Sequence, residues 1–288
     1  MKMSLKKVVS FSGGRTSAYL CKLMKNLYGD GVDFIYMDTG MEHPKTYEFI
    51  KRVNKEFGLN LTCLKTKFNQ TLGQGNTYEI IDIESLCHDG NQFRQMMKKY
   101  GTPYNPGGAF CTDRLKLVPY SKYCNEKYGK KSYVTYLGIR TDEPKRLKPK
   151  PYYEFMATIS DFDKQDVLDW WAEQSFDLEL SGEHLGNCVF CIKKGNNKVA
   201  LAAREEPELA KQFLDLLNED SVRTVEKRKS PPLEMYRGRL SFDGVMKSFS
   251  AHSDDEIRGT IRSMRRNDTN SCSESCEVFG EQINWLDE

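Results

Sequence analysis

Residues 6–24 read KKVVSFSGGRTSAYLCKLM. Lys7 to Ser12 is a short run rich in β-branched and aromatic side chains, which predicts a buried strand. From Ser17 onward Ala18, Leu20, Cys21, Leu23, Met24 and Leu27 recur at helical spacing, which predicts a helix. Gly13 and Gly14 stand between the two. Adjacent glycines weaken both flanking elements unless the backbone there has a task. A glycine turn opening a helix makes an anion cradle, because backbone N–H groups come close and the helix dipole favours negative charge. Ser12, Thr16 and Ser17 add hydroxyl donors. An ordinary strand-to-helix turn with a Ser/Thr cap has the same composition, so spacing alone leaves both readings open.

The alternation continues outward. Asp33 to Met37 reads as a second strand and Leu59 to Leu64 as a third. Between them, Pro44 to Phe57 reads as a helix, with Pro44 in its first turn and Gly58 just past its end. Strand and helix in turn predict an α/β fold with a mainly parallel sheet and right-handed crossovers. Ligands of such sheets sit at the carboxyl ends of strands, near the point where strand order reverses. Ser12–Ser17 falls at such an end. Residues 101–109 read as a loop, Cys111 to Tyr128 as a helix disturbed early by Pro119, and Tyr133 to Ile139 as a strand. Residues 144–151 read as an exposed connection, and Asp163 to Trp171 and Lys198 to Leu217 as helices. Beyond residue 218 the pattern weakens, and Pro231-Pro232 interrupts it.

The 288 residues suffice for one large domain or two smaller ones. A net charge of +2 gives no whole-molecule field that favours nucleic acid. Two local basic patches remain: residues 223–239 read as solvated surface, whereas residues 140–150 lie beside a motif and could meet phosphate. No stretch reaches the roughly 18 consecutive apolar residues of a membrane span. No signal-peptide core forms before the glycines, so a cytoplasmic protein with no membrane partner is expected. The nine cysteines then need a role other than structural disulfides.

Cys188-Val-Phe-Cys191 lies between glycine turns and can direct two thiolates at one ion. Cys111 is a candidate third ligand, and Cys276 or Cys272 a fourth. Four thiolates from scattered segments suit a [4Fe–4S] cluster or, failing that, a structural zinc. His184 is a substitute ligand. The same Cys-x-x-Cys also reads as a redox dithiol, with Cys272 and Cys276 as tail thiols that resolve a mixed disulfide. Cys21, Cys63 and Cys124 fall on apolar faces and read as core filler. Trp170-Trp171 reads as packing.

Four segments, in order, carry a family resemblance. SFSGGRTS (10–17) resembles the Ser-Gly-Gly-x-x-Ser loop of the PP-loop superfamily of adenine-nucleotide enzymes. MDTGMEHPKTYEFI (37–50), FCTDRLKLVP (110–119) and LGIRTDEPKRL (137–147) are similar to segments of the phosphoadenosine phosphosulfate (PAPS) reductases within it. The pattern is most similar to PAPS-reductase-like proteins encoded by bacteriophages, where it extends to GNCVFCIKKG (186–195) and a C-terminal cysteine pair.

The resemblance implies a doubly wound, Rossmann-like PP-loop nucleotide-binding domain over 1–160. A mainly helical, cysteine-bearing region follows over 161–288. It implies that Ser12, Gly13, Gly14, Arg15, Thr16 and Ser17 hold the phosphates of ATP or PAPS. Asp38 and Thr39 then lie near the adenosine, and Gly138 and Arg140 lie across the same crevice. Arg140 has the planar fork for an oxyanion, unless Asp142 or Glu143 takes it as an ion pair. Lys116 and Arg146 are further candidates. The implied activity is reductive sulfur chemistry, with a thiolate of Cys188 or Cys191 attacking sulfur and a thioredoxin-like reductant completing the cycle. An alternative is ATP-dependent sulfur transfer through an adenylate, with a sulfur donor as partner and nucleic acid as a possible acceptor. Two departures open a third reading, a nucleotide-binding protein without turnover and with structural zinc. Thr16 stands where many ATP pyrophosphatases carry Asp, and the C-terminal Glu-Cys-Gly-Leu/Ile-His segment of true PAPS reductases is missing.

Overall fold

The computed structural model describes residues 5–103, 110–225 and 233–264. Cys272 and Cys276 lie outside the described residues. Six strands form one sheet in the order β4-β3-β2-β1-β5-β6. They are β1 (Lys6–Phe11), β2 (Val32–Met37), β3 (Thr62–Lys67), β4 (Thr77–Ile81), β5 (Tyr133–Leu137) and β6 (Tyr153–Phe155). All neighbours are parallel except β3 and β4. The expected α/β fold with a mainly parallel sheet is therefore present. The order reverses at β1, which has β2 on one side and β5 on the other. The crevice at the carboxyl ends of β1 and β5 is the switch point at which such sheets bind ligands.

Alternating side chains cover both faces, as a sheet flanked by helices requires. Val9, Phe11, Phe34 and Tyr36 pack under α1 (Arg15–Tyr28), α2 (Pro44–Phe57) and α6 (Lys164–Ala172). Val8, Ile35, Met37 and Leu64 pack on the other face under α5 (Val118–Tyr128). The cysteines read as core filler are buried, Cys21 and Cys63 in the first cluster and Cys124 in the second, and burial pushes the Cys63 and Cys124 thiols up to about 12. Trp171 is buried among Phe49, Phe57, Phe176 and Trp170, so the tryptophan pair does serve packing. A third apolar cluster joins α3 (Asn91–Tyr100) to α7 (Asn196–Glu205), α8 (Pro207–Leu217) and α9 (Phe242–Ser248).

Local chemistry explains the boundaries. His43 caps α2, its Nδ1 accepting from the Lys45 N–H at 3.1 Å, and Pro44 fills the first position as expected. The predicted helix at 111–128 is compound. It begins as α4 (Phe110–Thr112), widens into a π turn over Asp113–Leu117 and ends as α5. Pro119 enters just after that turn, which accommodates its missing N–H and its ring. The expected helix Lys198–Leu217 is two helices, α7 and α8. Pro207 cannot donate to a continuing helix, and the chain breaks at Glu206 (φ −123°, ψ 64°). α10 (Asp254–Met264) closes the described chain. Among the described residues, no helix is long and apolar enough to cross a membrane.

Candidate functional site

The loop after β1 is folded on itself. The Ser12 N–H donates to Ser17 Oγ at 3.2 Å, the two hydroxyls lie 2.8 Å apart, and Ser17 Oγ donates to Gly14 O at 3.0 Å. Gly13 has φ +85°, and a Cβ there would meet Ile50 Cδ1 at 3.0 Å and Thr46 Cγ2 at 3.2 Å. The loop thus needs glycine twice over, for its left-handed backbone and for its close approach to α2. Gly14 is the extended N-cap of α1 and no side chain caps it, as befits a helix end open to an anion.

Arg15 stands in the loop but its side chain does not face the crevice with the hydroxyls. It makes a two-pronged pair with Asp177, at 2.6 and 2.8 Å, and also donates to the Leu178 carbonyl. Trp171 Nε1 donates to the Arg15 carbonyl at 3.0 Å. Arg15 is a strut, joining the loop to the segment after α6.

Across the switch point, Gly138 sits in the turn that ends β5, where the Ile139 N–H donates to Leu137 O at 2.8 Å. Arg140 follows, 3% exposed. Its guanidinium donates to both Asp142 oxygens at 2.8 and 3.1 Å, and to Thr16 Oγ1 at 3.2 Å. Glu143 lies 3.8 Å away and also pairs with Arg146. The structure therefore brings Arg140 and the loop into contact as expected, and it also gives Arg140 the carboxylate partners that compete with an oxyanion.

Asp38 and Thr39 follow β2, beside β1. Asp38 Oδ1 accepts from the Gly40 N–H at 2.9 Å and from Tyr47 Oη at 3.0 Å. Burial pushes its carboxyl up to about 6, against those two hydrogen bonds and helped by Asp89 and Glu42. The sign follows from proton count. Between about pH 4 and 6 the folded Asp38 keeps a proton that the unfolded chain sheds. Its contribution to stability is full at acid pH and lost as pH rises through about 6. Asp38→Asn keeps the acceptor without the charge. Relative to wild type, its unfolding free energy should gain about 2 kcal/mol between pH 4 and pH 7. Denaturant unfolding at the two pH values measures this, and a constant difference would refute it.

Thr39 opens onto the cysteines. Cys111, Cys188 and Cys191 line one small cavity of about 30 Å³, together with Thr39, Lys116 and an apolar wall that includes Met41 and Phe213. Thr39 Oγ1 lies 3.4 Å from Cys188 Sγ. The main chain of Glu42 bridges antiparallel to Cys188, which pins the Cys-x-x-Cys turn to the segment between β2 and α2. That turn closes through the Cys191 N–H to Cys188 O at 3.1 Å. Lys194 lies buried beneath it and donates to His184 O at 2.7 Å and Val189 O at 2.8 Å. Burial pushes its ammonium down to about 8, while Cys191, Cys188 and Glu42 pull it up.

Three of the four expected metal-ligand positions thus share a cavity, but not as a ligand set. Among the described residues, no three Cys, His, Asp or Glu side chains are arranged to hold a metal ion. Cys276 lies outside them. His184 faces Glu205, with Nε2 at 2.8 Å. The site also contains residues that the sequence reading passed over. Glu42 is 1% exposed, and its Oε1 meets Thr39 Oγ1 at 3.3 Å, Cys188 Sγ at 3.6 Å and Lys116 Nζ at 3.7 Å. Glu42 lies within the MDTGMEHPKTYEFI segment, but nothing in its spacing singles it out. Lys194, in contrast, lies three residues after the Cys-x-x-Cys.

The nin region protein ORF290 of Escherichia phage lambda is 49% identical over 283 residues, covering 96% of this chain and 97% of the phage protein. A Methanocaldococcus jannaschii protein is 41% identical over 220 residues, 72% of this chain and 46% of the archaeal one. The chain thus spans under half of that relative's length. Two solved structures are similar at a TM-score of 0.38 and 15% identity. PAPS reductase from Candida auris, as a phosphate complex, covers 59% of this chain and 73% of its own. The ammonia-dependent NAD synthetase of Campylobacter jejuni, with nitrate, covers 79% and 91%. Residues 6–178 match the family described as the phosphoadenosine phosphosulfate reductase domain. That span runs from the first residue of β1, through the glycine loop and the Arg140 turn, to the Asp177 and Leu178 partners of Arg15, and it stops short of Cys188. The chain belongs to the phosphoadenosine phosphosulfate reductase domain family.

Proposed function

We propose that this protein is an enzyme that holds an adenine nucleotide, PAPS or ATP, by its phosphates on Ser12–Ser17 and performs sulfur chemistry with Cys188 and Cys191. The observation that carries the reading is the gathering of Cys111, Cys188 and Cys191 round one cavity beside Thr39, one strand from the glycine loop. The loop and the α1 N-terminus supply N–H donors for the phosphates. Arg140 exchanges a carboxylate for a phosphate oxygen, or stays as the brace of Thr16.

With PAPS, the Cys188 thiolate attacks the sulfonate sulfur and the bond from sulfur to the phosphate oxygen breaks. Adenosine 3′,5′-bisphosphate leaves on the loop. The Cys191 thiolate then attacks Cys188 Sγ, sulfite departs, and a Cys188–Cys191 disulfide remains for a thioredoxin-like dithiol to reduce. The second reading, ATP-dependent sulfur transfer, is favoured by the carboxylate of Glu42 beside Cys188. There an acceptor oxygen attacks the α-phosphorus of ATP and pyrophosphate leaves, a Cys188 persulfide formed by a sulfane-sulfur donor displaces AMP, and the Cys191 thiolate attacks Cys188 Sγ to release the thiolated acceptor, leaving a Cys188–Cys191 disulfide for a dithiol to reduce. The iron–sulfur and zinc expectations find no ligand set among the described residues and enter no step.

The test combines calorimetry and turnover. The protein should bind ATP or adenosine 3′,5′-bisphosphate. Cys188→Ser should keep that binding and lose at least about 10³-fold in turnover, whether sulfite release or sulfur transfer is measured. Absence of binding, or undiminished turnover in Cys188→Ser, would overturn the reading.

A further inference from the structure

Every carbonyl of the Cys-x-x-Cys turn has a donor. Cys188 O accepts from the Cys191 N–H at 3.1 Å, and Cys191 O from the Lys194 N–H at 3.0 Å. Phe190 O accepts from Tyr236 Oη at 2.9 Å, and Val189 O from Lys194 Nζ at 2.8 Å. The Val189 N–H donates to Met41 O at 3.0 Å. The turn is thus held at each of its carbonyls by groups that need no bond between its sulfurs. Three of the four donors are neutral. The fourth is the Lys194 ammonium, 3% exposed, which also donates to His184 O at 2.7 Å.

A neutral donor would serve Val189 O as well, as Tyr236 serves Phe190 O. An ammonium costs far more than a hydroxyl to take out of water, so its charge needs a reason beyond the hydrogen bonds. Burial works against that charge. Cys191, Cys188 and Glu42 favour it, in that order, and Lys198 opposes it. The two sulfurs of the turn therefore act on it most strongly. A thiolate on either stabilises the ammonium, and by reciprocity the ammonium stabilises the thiolate. In a Cys188–Cys191 disulfide neither sulfur carries charge, and the ammonium stays buried without its two leading partners.

We propose that Lys194 is a positioning residue whose charge sets the redox balance of Cys188 and Cys191, favouring the dithiol over the disulfide. The disulfide left by turnover is then an easy one for a dithiol to reduce, and the pair returns to its reactive state. This inference rests on the sulfur chemistry read above and holds for both of its branches, since each ends in that disulfide.

The test equilibrates the full chain, without oxygen, in mixtures of reduced and oxidised glutathione. Mass spectrometry after alkylation then measures the fraction of Cys188–Cys191 disulfide. The two thiols give two electrons and two protons to oxidised glutathione, which leaves as two reduced molecules. Lys194→Met should shift the equilibrium toward the disulfide by about ten-fold. Lys194→Gln, which keeps a donor for Val189 O, should shift it as far. Lys194→Arg, which keeps the charge, should stay within about three-fold of wild type, as should Tyr236→Phe, which removes only a neutral brace. An unchanged equilibrium in a folded Lys194→Met or Lys194→Gln would overturn the inference, as would a shift of about ten-fold in Lys194→Arg or Tyr236→Phe. If neither neutral variant folds, wild type decides. Its disulfide should be at least about ten-fold easier to reduce than the same pair in the urea-unfolded chain, and equal ease would refute the proposal. A disulfide indifferent to Lys194 sinks this inference only. Failure of Cys188 and Cys191 to pair with each other at any glutathione ratio sinks the sulfur chemistry proposed above along with it.

Discussion

Trp171→Ala should lower the unfolding free energy by about 4 kcal/mol, the cost of emptying a buried aromatic site. The indole touches the rings of Phe49, Phe57, Phe176 and Trp170 at centroid distances of 4.9–6.1 Å, so its loss leaves a cavity that several stiff rings cannot fill. It also orphans the Arg15 carbonyl, which accepts from Trp171 Nε1. In a chain of this size the melting temperature should fall by roughly 10 °C. Thermal and denaturant unfolding of the variant measure both quantities. A loss under about 1 kcal/mol would mean that this aromatic cluster is not what ties α6 to α2.

Gly13→Val should have the largest effect on ligand binding, a loss of nucleotide affinity on the order of 100-fold. A β-branched residue at φ +85° is strained by about 2 kcal/mol. Its Cβ also presses on Ile50 and Thr46, within the body of α2, so the loop is pushed off the helix. The serine pair that closes the loop then loses its geometry, and with it the inward-facing N–H groups. Calorimetry with ATP, beside a melting curve, separates the two effects. Unaltered affinity would show that the phosphates lie elsewhere.

The strand-and-helix core was legible because β1, β2 and β5 are buried on both faces and read as continuous apolar runs. α2 was legible because Pro44 and Gly58 mark its ends. β4 was not, because it is an edge strand whose Ile80 is 58% exposed, and alternation signals burial on one face. α10 was not, because Ile257 and Ile261 are its buried apolar pair in an otherwise polar sequence. At the site, residue types predicted the glycine loop and the convergence of three cysteines. They did not predict where long side chains point. Arg15 has the spacing of a phosphate ligand, yet a carboxylate 162 residues away takes its guanidinium. Glu42 is silent in the sequence because its meaning comes from Cys188, 146 residues away, and only the folded sheet brings the two together.

The strut from Arg15 to Asp177 and Leu178 also constrains the order in which the chain matures on the ribosome. The glycine loop is synthesised before its sheet neighbour β5, which begins at Tyr133, and the partners of Arg15 come later still. A nascent chain that ends before Asp177 has the glycine loop without its strut. The loop is made before it is secured, so products that stop short of Asp177 carry the glycine motif without the partners that hold Arg15.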